Sequence, residues 1–330
     1  MSRSPTRGWK RWLATGLLAC LGAVALRAGA AEAAGGSACP PAPQALTPDQ
    51  VRAGMRDAVD HGFLWRVTKD GRSSWLYGTI HVARPSWMYP GPTVMQALAA
   101  ADLVALELDL ADPEITRRLG EAVAAPKDQP PLPPPLAARL ARQADAACFG
   151  QGLAGLRPEM QAMTLVALAG RRDGLDPAYA VDGFLAGLAH GLRKPVRSLE
   201  TPEEQIALLL QPGGEATAHL VDETLDELES GRGLRTLRRL AEAWAASRFD
   251  ELGSYPQWCE CLDTEDQRAF SRRLIEDRNL TLADKVKALH AAGQRVFVAV
   301  GALHMVGPQG LPALLAEAGF QVEPFGPGAR

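Results

Sequence analysis

Twice in this chain an apolar run stops at a glycine and a histidine follows three residues later. Trp75-Leu76-Tyr77 leads into Gly78-Thr79-Ile80-His81, and Val296-Phe297-Val298-Ala299-Val300 leads into Gly301-Ala302-Leu303-His304. Apolar β-branched and aromatic runs of this length read as strands. Strand ends in α/β sheets are where ligand sites collect, and glycine permits the sharp turn and close backbone approach that such a site needs. The repeat therefore predicts two imidazoles on neighbouring loops at one end of a sheet.

The rest of the chain supplies matching elements. Thr47 and Gln50 form a capping-box pattern before an expected helix over Val51–Val59. Phe63–Thr68 and Ser74–Tyr77 read as strands joined at the turn signal Asp70-Gly71. A helix is expected over Thr93–Ala101 and a buried strand over Leu103–Leu108. Pro130–Pro135 reads as a surface loop, and Leu136–Leu192 is helical in pattern. Lys194–Leu199 is a short strand, and Thr201-Pro202-Glu203-Glu204 starts a helix. Residues 216–249 and 264–292 are amphipathic helix. Arg295–Val300 is a strand, Leu311–Ala318 a helix and Phe320–Glu323 a last strand. Strands alternating with helices predict an α/β fold, and the hairpin adds an antiparallel element.

Of the 330 residues, 47% are hydrophobic and 35 Lys+Arg stand against 38 Asp+Glu, a formal net charge of −3. That apolar content can bury a core, which excludes a disordered chain, and the charge balance excludes a dedicated nucleic-acid binder. Residues 1–33 read as a secretory signal: Arg3, Arg7, Lys10 and Arg11, then the apolar Trp12–Leu26, then small residues that allow cleavage near Ala30 or Ala33. The run, interrupted by Arg27, is too short to read as a bilayer span. An uncleaved anchor is one alternative, and Leu17-Leu18-Ala19-Cys20 offers lipidation at Cys20 as another. Residues 34–46 read as a flexible Pro-rich tail and 47–330 as a single domain. No later segment is a transmembrane candidate. The expected location is periplasmic or extracellular. Removal of residues 1–30 leaves 30 basic against 38 acidic residues, about −8.

Export places Cys39, Cys148, Cys259 and Cys261 in an oxidising compartment. A bridge between Cys259 and Cys261 would be a strained ring. The expectation is that each pairs with Cys39 or Cys148. A cysteine metal site lacks the usual C-x2-C pair.

Carboxylates lie in places comparable to the histidines. Glu107 falls in the apolar Leu103–Leu108 run, where a charge must be paired or metal-bound. Glu200 ends the Lys194–Leu199 strand. His81, His304 and one carboxylate would make an open divalent site able to activate water, with a further carboxylate as general base. The bland alternatives are a helix-start role for Glu200 and an arginine partner for Glu107. His190, His219 and His290 read as solvated, and His61 precedes the hairpin. There is no P-loop, G-x-G-x-x-G, H-E-x-x-H or G-x-S-x-G.

These motifs resemble the TraB/GumN family, which includes the Tiki-like proteins. The resemblance rests on Trp75–His81, Ala105-Leu106-Glu107-Leu108-Asp109, Val181-Asp182-Gly183, Lys194-Pro195-Val196, Leu199-Glu200-Thr201 with Gln205, Asp277-Arg278-Asn279 and Val300–Gly307. It runs from about Phe63 to the C-terminus and is weakest over Leu110–Met160. It implies a mixed central sheet with flanking helices, in two related halves that each carry Gly-x-x-His, through Gly78 and Gly301. It also implies a metal-dependent hydrolase, a protease in the Tiki-like members, using manganese or cobalt, with zinc possible. His81, His304 and Glu107 would then be metal-binding or catalytic. Arg278 and Asn279 would position substrate or carry an oxyanion. Asp182, Glu200 and Gln205 would support or join the site. The expected partner is a peptide or protein substrate. Two other readings stand beside it: a non-catalytic binder of a peptide or haem-like ligand, with His81 or Tyr77 as axial ligand, and a hydrolase using His81 as a metal-free general base.

Overall fold

The computed structural model describes residues 39–211 and 213–326. The expected signal segment at 1–33 and Cys20 lie outside the described residues. Six strands form one mixed sheet: β1 (Phe63–Lys69), β2 (Arg72–Thr79), β3 (Leu103–Leu106), β4 (Val196–Ser198), β5 (Val296–Gly301) and β6 (Gln321–Pro324). Their order is β4-β3-β5-β2-β1-β6. β4, β3, β5 and β2 run parallel, while β1 is antiparallel to both β2 and β6. Asp70 and Gly71 have φ of 51° and 71°, the left-handed pair that a two-residue hairpin turn requires.

Helices flank this sheet. Those that bear on the site or its surroundings are α1 (Pro48–Arg56), α2 (Pro92–Ala100), α3 (Pro158–Leu168), α4 (Val181–Gly191), α5 (Pro202–Ala207), α6 (Gly214–Glu229), α7 (Arg232–Ala245), α8 (Glu265–Leu274), α9 (Glu276–Ala291) and α10 (Leu311–Glu317). The capping boxes at Thr47 and Thr201 both form. β3 and β5 are buried along their whole length. They pack with Leu98, Val181, Leu185, Val286 and Leu315 into the main core. Each such side chain contributes about 1.5–3 kcal/mol of burial.

The long helical patterns are broken. Between 136 and 192 the chain leaves the helix at Cys148, Gly155 and Gly174, which have φ of 50°, 80° and 76°. Gly231, with φ 70°, separates α6 from α7, and Ile275, with ψ −68° and φ −116°, separates α8 from α9. An apolar period persists through such breaks because the core still demands buried side chains.

Three further expectations are corrected. β3 ends at Leu106, so Glu107 stands just beyond the strand instead of inside it. The two parallel chains stay bonded as they leave the ladder, with Leu199 N donating to Leu106 O (2.7 Å) and Glu200 N to Glu107 O (3.0 Å). The disulfides are Cys39–Cys148 and Cys259–Cys261, with Cα separations of 5.7 and 5.1 Å. Glu260, at φ 53°, folds the chain back between the last two cysteines, which is how so small a ring closes. His290 is buried: its Nε2 lies 3.1 Å from Lys69 O, and its ring meets Phe320 edge-on at 4.8 Å. His190 is exposed as expected, with its Nε2 2.7 Å from Asp109 Oδ2. Among the described residues no helix is long and apolar enough to cross a membrane.

Candidate active site at the ends of two parallel strands

β2 and β5 are parallel neighbours, so their C-terminal ends bring the two Gly-x-x-His segments together. The register pairs Gly78 with Val300 and Thr79 with Gly301. The two copies are therefore offset by one residue. They also differ in conformation, because His81 lies two residues past the end of β2 while His304 lies in a single 3-10 turn, Ala302–Met305. Identical motifs thus present their imidazoles from different directions.

Both glycines let their neighbours approach closely. A Cβ on Gly78 would lie 3.1 Å from Ala302 Cα and 3.2 Å from Met305 Cγ. The bare backbone lets the 302–305 turn press against β2. A Cβ on Gly301 would lie 3.2 Å from His81 Nε2, 3.4 Å from Glu107 Oε1 and 3.6 Å from His304 Cδ2. One point in front of Gly301 is therefore in contact with all three expected side chains. Trp244, fully buried on α7, fixes the first loop through Nε1 donating to Gly78 O (2.7 Å).

Each histidine is held from behind. His81 Nδ1 lies 3.0 Å from Asp182 Oδ1. Asp182 sits in the first turn of α4, which is tied to the motif by Val181 N donating to Ile80 O (3.0 Å). His304 Nδ1 lies 2.6 Å from Asn279 Oδ1, and Asn279 Nδ2 donates to Gln309 O (2.7 Å). The Gln309 carbonyl orients the Asn279 amide so that its oxygen faces His304. Both Nδ1 atoms are thus assigned the proton, and both Nε2 atoms keep a lone pair. This gives Asn279 a task other than the expected oxyanion contact: it is fully buried and both ends of its amide are engaged.

Glu107 joins the two motifs to α9. Its Oε1 accepts from Gly301 N (2.7 Å) and lies 3.9 Å from His304 Nε2. Its Oε2 accepts from Arg278 Nη2 (2.6 Å) and Gln205 Nε2 (3.2 Å). Arg278 also bonds both oxygens of Glu200, and Gln205 Nε2 donates to Glu200 Oε2 (2.8 Å). Arg278 Nη1 donates to Leu274 O (3.0 Å). Of the five guanidinium donors, four are used in these bonds and one Nη1–H remains.

Burial and charge set the protonation states. Burial pushes Glu107 up, but the Arg278 charge, both imidazoles and the Gly301 N–H hold its carboxyl well below the usual range. Burial, reinforced by Arg278, pushes His304 down to about 3 against the pull of Glu107. Burial also lowers His81, yet the Asp182 carboxylate outweighs it and leaves that imidazole more basic than usual. Two histidines facing one space are driven in opposite directions, a neutral His304 beside a more basic His81.

The donor chemistry fits a divalent cation: two imidazole Nε2 lone pairs, each backed by a fixed Nδ1–H, and one carboxylate oxygen. Among the described residues no group of three or more His, Cys, Asp or Glu side chains already stands in a metal-holding arrangement. Glu107 Oε1 is partly engaged by the Gly301 N–H. Tyr77 does not face this space as an axial ligand would, because its hydroxyl is buried and donates to His61 O (3.1 Å).

A cavity of about 60 Å³ opens in front of His81, Glu107, Arg278 and His304. Its wall comes from Leu237, Leu240 and Trp244 of α7, with Leu252, Ile275 and Leu303. Apart from Leu303, which belongs to the second Gly-x-x-His motif, none of these wall residues stood out in the sequence. The signal was the apolar i, i+3, i+7 face of α7, which in isolation reads only as core.

The chain matches the profile of the TraB/PrgY/gumN family over residues 63–324. It is 30% identical over 247 residues to the uncharacterized protein YbaP of Shigella flexneri, a match covering 74% of this chain and 88% of that protein. It is 34% identical over 155 residues to the uncharacterized protein YbaP of Escherichia coli (strain K12), covering 47% of this chain and 54% of that protein. No solved structure matches. The chain belongs to the TraB/PrgY/gumN family.

Proposed function

We propose that this protein is an exported, metal-dependent hydrolase that cleaves peptides. One observation carries the reading: His81 Nε2, Glu107 Oε1 and the His304 ring converge on the point in front of Gly301. His81, His304 and Glu107 would hold the cation. When bound, it supplies Lewis acidity toward a carbonyl and toward water. The protein's own groups do the rest. Asp182 and Asn279 keep the imidazoles oriented. Arg278, clamped by Glu107 and Glu200, offers its remaining Nη1–H to a carbonyl oxygen as negative charge develops there. Export is supported by the two disulfides and by the basic, then apolar, pattern of residues 1–33.

A second reading has its own observation. The Asp182-backed His81 is the more basic imidazole, while Glu107 is already bonded by Arg278 and Gly301. His81 Nε2 could then take a proton from water without metal. The test is elemental analysis of the purified protein, manganese and zinc titration, and peptide turnover with and without chelator. Metal binding that is lost in His81→Ala and His304→Ala, with turnover abolished by chelator, supports the metal reading. Full turnover in chelator supports the second. Absence of both turnover and metal binding rejects the two together and leaves the binding-protein reading.

A further inference from the structure

The cavity has a chemistry of its own beyond the groups at its floor. The wall side chains Leu237, Leu240, Trp244, Leu252, Ile275 and Leu303 are aliphatic or aromatic. Trp244 has already committed its one donor to Gly78 O, so it presents only ring carbon. A charged or polar group entering this wall would shed water and find no partner. The size is also informative. A water-sized group needs roughly 10–15 Å³ measured this way, so about 60 Å³ admits about four to six such groups. The side chains of leucine, isoleucine and methionine each have four heavy atoms. Phenylalanine with seven and tryptophan with ten exceed the space.

Thr79 also lines this cavity, but its Oγ1 is fully buried, so the hydroxyl adds no polar contact to the apolar wall.

We propose that this cavity is a specificity pocket for a leucine-, isoleucine- or methionine-sized side chain next to the cleaved bond. The inference rests on the peptide-cleaving reading above. It names the substrate class: peptides with a medium-sized aliphatic residue beside the scissile bond.

The test uses the purified, manganese-loaded exported protein. The probes are acetylated, amidated octapeptides of one alanine-rich frame with a single varied residue: Ala, Val, Leu, Ile, Met, Phe, Trp, Lys or Asp. Cleavage is read by mass spectrometry and binding by thermal shift in chelator. Leu, Ile and Met peptides are expected to be cleaved about 10- to 100-fold faster than Ala, Phe or Lys peptides, the range in which a pocket discriminates methylenes. Leu240→Ala enlarges the pocket and moves the preference toward Phe. Cleavage indifferent to the varied residue, or fastest at Lys or Asp, overturns the pocket and leaves the hydrolase standing. No cleavage together with selective binding of the Leu peptide overturns the hydrolase and keeps the pocket. No cleavage and no selective binding overturns both.

Discussion

Adding one methyl group at Gly301 tests the site most directly. The backbone there has φ −50° and ψ 138°, which alanine adopts without strain. Gly301→Ala therefore carries no conformational penalty and restricts the unfolded chain, a gain of about 0.4–1 kcal/mol. Against this stand contacts of 3.2 Å to His81 Nε2, 3.4 Å to Glu107 Oε1 and 3.6 Å to His304 Cδ2. All three neighbours are side-chain atoms, so a shift of a few tenths of an ångström relieves them. Stability should change by no more than about 1 kcal/mol, or about 1–2 °C in melting temperature for a chain of this size. Function should not escape so lightly. The methyl occupies the point where the three groups converge, and displacing a reacting centre by about 1 Å costs roughly 10²-fold. Manganese affinity and peptide turnover should each fall about 100-fold with the fold intact. Gly78→Ala is the control, because its Cβ would meet backbone, Ala302 Cα at 3.1 Å. That substitution should cost about 1–3 kcal/mol by overpacking. Thermal unfolding, metal titration and turnover of both variants decide the matter. A Gly301→Ala protein with near-normal affinity and turnover would refute the placement of the site.

Three more outcomes are expected. Asn279→Ala leaves His304 Nδ1 and Gln309 O without their partner. It should weaken metal binding about 10- to 100-fold and lower stability by about 1–3 kcal/mol, read by metal titration and urea unfolding. Arg278→Leu strands two buried carboxylates, Glu107 and Glu200, and should cost about 3–5 kcal/mol in urea unfolding. The metal-free protein should lose stability on acidification. His304 at about 3 when folded against about 6.5 when unfolded means that the unfolded chain binds the extra proton between those values, so this contribution is present above pH 6.5 and disappears toward pH 3. Glu107, also depressed, acts in the same sense. His81, raised, acts oppositely and loses its contribution as pH rises through its folded value. Melting temperature against pH should therefore drop more shallowly below pH 6.5 in His304→Gln, and an unchanged profile would contradict the burial argument.

Much of the site was legible because its signals are local. The hairpin turn Asp70-Gly71, the capping boxes at Thr47 and Thr201, and the two apolar strands ending at Gly78 and Gly301 each depend on a few adjacent residues. Their side chains and φ preferences act within one turn or one strand. The same locality explains the failures. The apolar period across 136–192 could not show the left-handed breaks at Cys148 and Gly174. The Cys259–Cys261 bridge depends on the conformation of one intervening residue, Glu260.

Two histidines at the ends of apolar strands, a Glu107 in need of a partner and an α/β sheet to carry both are legible in the linear chain. The packed fold sets β5 beside β2 with a one-residue offset. It also decided that Arg278, 171 residues away, is the partner that Glu107 required. Asn279 became a support for His304, and a face of α7 became the wall of the cavity. The physical reason is that strand order and helix docking are chosen by the joint burial of distant apolar faces. No stretch of ten residues contains that information, and the chemistry of the site is assembled where those faces meet.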